Sequence, residues 1–306
     1  MLVVGECIHV ISQRVREAIE TRDTAFIQNL ARRQVEKGAQ ALDLNIGPQR
    51  RTGPEVMTWI VDAIQDVVDV RFSLDTINPA AIEAGLRRCK RKAIINSTDA
   101  SPERLATMLP LAAKYNASII ALTFAGGGLP SSADARVQLA VENIIPVVME
   151  HGVSLEDVYF DPLVMTVNGN QDQAIPAIEA VRFFKQMSDP PPMTICGLSN
   201  VSNGALREVR PILNRVFLCM VMGAGLDAAI ADPLDDELME AIRVMETREA
   251  KTPKAQLYLA IHDLYAAGGP FDSSGWDLTN SEVRDIVRTV EVLENKWIYA
   301  HSYLRL

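Results

Sequence analysis

Short apolar runs alternate with longer stretches of helical spacing eight times between Leu2 and Met245. The runs are LVVGE (2–6), ALDLNIG (41–47), RFSLDT (71–76), KAIINS (92–97), SIIALTF (118–124), VYFDPL (158–163), MTICGLS (193–199) and AAIADP (228–233). Each is mostly aliphatic, as strands covered on both faces must be. The stretches between them are Thr24–Gly38, Pro54–Val68, Pro79–Lys90, Pro102–Tyr115, Ser132–His151, Asp172–Met187, Arg207–Met222 and Asp235–Met245. In the first, Phe26, Leu30, Ala31 and Val35 repeat along one helical face. Asn78 before Pro79 and Ser101 before Pro102 each set a capping side chain ahead of a proline at the first helical position. Gly38, Gly152 and Gly223 stand just past predicted helix ends.

Eight strand–helix units on short connections predict an α/β fold of (β/α)8, or TIM, barrel type. An open doubly wound sheet would carry a glycine-rich phosphate turn after its first strand, and GECIHVIS (5–12) is no such turn. A chain of 306 residues, 48% of them hydrophobic, suits one large barrel domain spanning 1–306. The eight units are complete by about residue 245. Pro253–Ala267 then reads as an added amphipathic helix on Leu257, Leu259, Ile261 and Leu264. Gly268-Gly269-Pro270 breaks it, and Ser281–Leu304 reads as one long final helix. The segment at about 250–282 is therefore an extra helical piece before the last helix.

Lys and Arg total 30 against 39 Asp and Glu, a net charge of −9. That balance argues against nucleic acid or an anionic membrane surface as partner. Cys7, Cys89, Cys196 and Cys219 form no CxxC pair, so free thiols in a reducing compartment are expected. No apolar run approaches membrane-spanning length, and the N-terminus lacks a secretory pattern. A cytoplasmic protein is the expectation.

A barrel of this kind places its site at the C-terminal ends of its strands. Those ends carry Glu6, Asp43 and Asn45, Asp75, Asn96, Asp161, Ser199 and Asn200, and Asp232; strand five ends in Thr123 and the run Gly126-Gly127-Gly128. The ring is rich in carboxylates and amides. Its cysteines are Cys7 and Cys196, and His9 is the one histidine near a strand end, so no metal set is expected. Such a ring suits a neutral, flat heterocycle with many N–H groups. Strand-end Asp and Asn also serve as caps and turn residues. Asn78 and Ser101 already take those duties beside Asp75 and Asn96, and the helix after Asp161 starts some way on, so these three are free for a ligand. Glu6, Asn45 and Asp232 stand between the two roles. Asp43 is assigned first to holding the loop GPQRRTG (47–53). Cys196, Met220 and Met222 read as core, and His9 as core or rim.

At these residues the chain resembles a known family. ALDLNIGP (41–48), SLDTINPAAIEAGL (73–86), AIINSTDA (93–100), YFDPL (159–163), GLSNVS (197–202), RPILNRVFL (210–218) and GLDAAIADP (225–233) occur in order and at matching spacing. They are similar to landmarks of the methyltetrahydrofolate:corrinoid-protein methyltransferases, relatives of the folate domain of cobalamin-dependent methionine synthase. The resemblance implies a pterin-binding barrel of the dihydropteroate-synthase-like type, with the pterin in the barrel mouth. It implies that Asp75, Asn96 and Asp161 bind the ring, that Asn200 lies beside N5, and that Gly197 and Ser199 share its motif. Asn203 and Arg210 lie near the positions of further ligand contacts, with two residues inserted between GLSNVS and RP; Glu6, Asn45 and Asp232 join the candidate site from the reading of the strand ends alone.

The implied substrates are methyltetrahydrofolate or tetrahydrofolate and a corrinoid (cobalamin), with methyl transfer in either direction and no metal bound by this chain. No Asp-x-His-x-x-Gly motif supplies a histidine to cobalt, so a separate corrinoid protein is the expected partner. A homodimer is expected, with the segment at about 250–282 contributing to its interface or to partner choice. The family's first strand commonly ends Gly-Glu-Arg-Ile-Asn, whereas Gly5-Glu6-Cys7-Ile8-His9 stands here, so the mouth differs at that edge. A dihydropteroate-synthase-like enzyme would need basic phosphate-binding residues at the mouth and a C-terminal Ser-x-Arg; neither is found in place. A non-catalytic folate or corrinoid-protein binding module is the alternative outside enzymes.

Overall fold

In the computed structural model, which describes residues 1–126 and 128–305, eight parallel strands close on themselves in chain order. Gly127, within the predicted glycine run, lies outside the described residues. The strands are β1 (Leu2–His9), β2 (Ala41–Asn45), β3 (Arg71–Asp75), β4 (Ile94–Thr98), β5 (Ser118–Leu122), β6 (Val158–Asp161), β7 (Met193–Gly197) and β8 (Ala228–Ala231). β8 pairs back onto β1, which closes the ring and leaves no free sheet edge. All eight predicted strands are present, and the fold is the expected TIM barrel.

Thirteen helices among the described residues cover it. They are α1 (Gln13–Thr21), α2 (Thr24–Glu36), α3 (Gly53–Gln65), α4 (Pro79–Leu86), α5 (Pro102–Tyr115), α6 (Ala133–Leu139), α7 (Ile145–Glu150), α8 (Val167–Asn170), α9 (Ala174–Gln186), α10 (Arg210–Gly223), α11 (Asp236–Thr247), α12 (Pro253–Ala267) and α13 (Ser281–Leu293). Inside the barrel, Val4, Ala41, Ile94, Ile120, Tyr159, Ile195 and Ala228 form a plug. Two larger apolar layers lie between the strands and the helices. The plug residues stand at the starts and middles of their strands, and the polar cleft described below lies beyond them at the C-terminal ends.

Several local expectations are corrected. α1 was not read from the sequence, because only Val15, Ala18 and Ile19 are buried on an otherwise charged helix. The predicted helix Ser132–His151 is interrupted by a π-helical turn at Ala140–Ile144. Pro146 follows it, and a proline there lacks the N–H and crowds the preceding turn, which the extra residue relieves. The final helix stops at Leu293 rather than Leu304. Asn295 there adopts φ +59°, and the N–H of Lys296 folds back to the carbonyl of Glu291, ending the helix as a left-handed cap does.

Capping divides in the same way. Asn78 accepts from the N–H groups of Ala80 and Ala81, as expected. Ser101 makes no side-chain cap bond; its N–H and hydroxyl both donate to Asp99. Gly38 and Gly152 take positive φ past their helices, but Gly223 lies within α10. Its reason is contact: a Cβ there would sit 2.2 Å from the carbonyl oxygen of His262 on α12. α12 packs across α10 on Leu257, Tyr258, Ile261 and Tyr265, all buried.

Candidate functional site

Register sets the site. His9 pairs with Asn45, Asn45 with Asp75 and Asp75 with Asn96, so four successive strand ends carry polar residues at one level. Two irregularities add to that row. Between Gly5 and Ile8, β1 spends three residues where β2 spends two, and β4 does the same against β5 between Ile95 and Thr98. Each extra residue breaks the strict alternation of faces, so two consecutive side chains face inward at each place: Glu6 with Cys7, and Asn96 with Ser97. The buried side chain of Gln34 accepts the N–H of Cys7 at 3.0 Å and so supports the first irregularity. A Cβ on Gly5 would come within 2.5 Å of that same oxygen, which is why glycine precedes Glu6.

One wall of the mouth is a connected set of acids and amides. Ser73 donates to Asp43 at 2.6 Å, Asn96 donates to Asp43 at 3.0 Å, and Asn45 donates to Asp75. Burial and the facing Asp75 push Asp43 well above the ordinary carboxylate range. Burial pushes Asp75 up to about 6, while bonds from Asn45 and Asp43 hold it down. Two buried acids facing each other resist holding two negative charges at once, so each raises the cost of ionising the other. Burial likewise pushes Asp161 up to about 7, opposed by the N–H groups of Leu163 (at 2.7 Å) and Gly197.

The opposite wall comes from β1, β7 and β8. Ser199 donates to Glu6, and burial pushes the Glu6 carboxyl up to about 7; Ser199 and Arg210 oppose the rise and Asp232 adds to it. Cys7 donates its thiol to Asp232 at 3.0 Å. Burial and that bond raise the thiol far above its usual range, so Cys7 is a donor here and a poor nucleophile. Burial lowers the pKa of His9, and its Nδ1 accepts the N–H of Ile11 at 3.0 Å. Asp232 also accepts the N–H of Leu234 at 2.9 Å, the turn role open to it from the sequence.

Between the walls lies a cleft of about 710 Å³. Glu6, Asp75, Asn96, Asp161, Gly197, Ser199, Asn200, Asn203, Arg210 and Asp232 all line it. Of the residues singled out in the sequence, Asn45 is set back and acts through Asp75. Asp43, assigned to the loop, is instead central. The sequence held a signal for it: in ALDLN, Asp43 and Asn45 alternate with Leu42 and Leu44, which puts both on the inward face. Among the described residues no group of three or more His, Cys, Asp or Glu is placed to hold a metal ion.

A family model described as pterin binding enzyme matches residues 12–232. The chain belongs to the pterin-binding enzymes. Among its relatives, the methylcorrinoid:tetrahydrofolate methyltransferase of Eubacterium limosum is 26% identical over 244 residues, covering 79% of this chain and 89% of that protein. The methionine synthase of Mycobacterium tuberculosis (strain ATCC 25618 / H37Rv) is 31% identical over 240 residues, 75% of this chain but only 20% of that much longer protein. The dihydropteroate synthase of Yersinia pestis, solved with a pterine-sulfa conjugate, superposes with TM-score 0.58 at 16% identity, over 80% of this chain and 94% of that one. A second dihydropteroate synthase structure gives TM-score 0.57 at 17% identity with the same coverage. These two neighbours share the fold.

The acids and amides of the cleft present both donors and acceptors. A pterin edge presents amino and ring N–H donors beside ring nitrogens and a carbonyl that accept. Carboxyl groups titrating near neutrality can meet both kinds, as donor when protonated and as acceptor when not.

Proposed function

We propose that this chain moves a methyl group between N5 of methyltetrahydrofolate and the cobalt of a corrinoid carried by a separate protein. The observation that supports it most is the convergence of Asp75, Asn96, Asp161 and Asn200, from four strand ends, on one cleft open at the barrel mouth. Relatives named for methylcorrinoid, tetrahydrofolate and methionine chemistry support the same reading. Asp75, Asn96 and Asp161 fix the pterin edge and remove its rotational freedom before reaction. Asn200, exposed on the turn Leu198–Ser202, donates its amide N–H to N5. As the C–N bond breaks and the methyl passes to cobalt, N5 takes up a proton from water in the open cleft, and the Asn200 hydrogen bond counts most at that point; the reverse transfer returns the proton to water. The corrinoid supplies a cobalt that can accept or give up the methyl group. The site serves transfer in either direction.

A dihydropteroate synthase would have to grip a phosphorylated pterin. Arg210 is the one lysine or arginine among the described lining residues, which gives that reading little support. We further propose a cytoplasmic homodimer, checked by sedimentation; among the described residues no helix is long and apolar enough to cross a membrane. The deciding experiment mixes the protein with methyltetrahydrofolate and reduced cobalamin, and with tetrahydrofolate and methylcobalamin, and follows the visible spectrum. Interconversion of the two cobalt states is expected. Unchanged spectra in both mixtures, with tetrahydrofolate bound by calorimetry, would leave a binding module instead.

A further inference from the structure

Arg136 is the largest fully buried side chain among the described residues, and it is a cation. It lies on α6, away from the cleft lining, and no carboxylate among the described residues pairs with it. Its Nε donates to the carbonyl of Pro162 at 2.9 Å, and one terminal nitrogen donates to the Gln173 side chain at 2.9 Å. The other terminal nitrogen is buried without a partner among the described residues. A buried, unpaired guanidinium is costly, so a chain keeps one where its fork does something an apolar side chain could not.

What the fork holds is the turn behind Asp161. The N–H and hydroxyl of Thr123 both donate to the Asp161 carbonyl, at 2.9 and 3.0 Å. Arg136 takes the next carbonyl, that of Pro162, and Leu163 then adopts φ +60° while its N–H reaches the Asp161 carboxylate. A leucine in the left-handed region costs energy and persists only where its surroundings fix it. Gln173, the second partner, stands at the start of α9, so the same side chain ties the turn to the helix that follows it.

We propose that Arg136 is a positioning residue: by fixing the Asp161–Leu163 turn, it aims the Asp161 carboxyl into the cleft. This rests on the reading of Asp161 as a pterin ligand. Lysine at 136 keeps the charge but gathers its three donors on one nitrogen, whereas Arg136 reaches Pro162 and Gln173 from two separate nitrogens of a planar fork.

The test is a double-mutant cycle on tetrahydrofolate affinity, by calorimetry, with Arg136→Lys, Arg136→Met, Asp161→Asn and the two combinations. Each Arg136 variant is expected to bind about tenfold or more weakly, the loss of a charge-assisted bond. The loss should nearly vanish in the Asp161→Asn background. Arg136 variants that bind as the parent does, or losses that simply add to that of Asp161→Asn, overturn the proposal. If Asp161→Asn itself leaves affinity unchanged, the reading of Asp161 as a ligand is what has failed. If Arg136→Met does not fold, the charge-retaining lysine variant carries the same criterion.

Discussion

At the scale of single residues, the site depends on where protons sit. Asn200→Ala removes the donor proposed for N5, so turnover should fall about 10²-fold or more. Single-turnover spectra of the corrinoid measure this, and a rate near that of the parent would remove Asn200 from the mechanism. Asp161 makes a second prediction, through pH. Burial raises its folded-state pKa from an ordinary 3.8 to about 7. Its contribution to stability is therefore complete below about pH 4, where both folded and unfolded chains hold the proton. It declines as pH rises and is gone above about 7. Asp161→Asn can still accept from Leu163 yet cannot ionise, so its unfolding free energy should fall less between pH 4 and 7 than that of the parent. Urea titrations across that range give the comparison, and parallel curves would show that Asp161 is not held protonated.

At the scale of elements, all eight strands could be read from the sequence because each is a short aliphatic run closed by a polar residue. Less legible were features that depend on neighbours. Nothing in GECIH announces that β1 carries an extra residue, since the irregularity is stabilised by Gln34, almost thirty positions away. Nor does KAIINSTD reveal that Asn96 and Ser97 both face inward. Gly223 looked like a helix stop and is a contact point between α10 and α12. Gly223→Ala should then destabilise by about 1–3 kcal/mol, as overpacking does, where the same change in an exposed helix would stabilise. Chemical denaturation decides the sign, and a more stable variant would place the helices further apart than described.

At the scale of the whole molecule, the sequence marked most of the residues that meet in the cleft, while their grouping required the barrel. Asp43 was underrated because its partners Ser73, Asp75 and Asn96 come from other strands. The segment at 250–282, read as an addition, includes α12 with Leu257 and Ile261 fully buried. Two such side chains stabilise by about 1.5–3 kcal/mol each, against roughly 5–15 kcal/mol for a typical domain. Deleting 250–282 should therefore lower the melting temperature sharply or prevent folding; a deletion variant that melts like the parent would show the segment to be dispensable. Closure of the ring by β8 on β1 has one more consequence. Asp75 and Asn96 come from the first half of the chain, and Asp161 and Asn200 from the second. A pterin touching all four would act as a clasp between the halves. It would strengthen the barrel with each rise in ligand concentration, and a nascent chain would stay unable to capture folate until its last strand had docked.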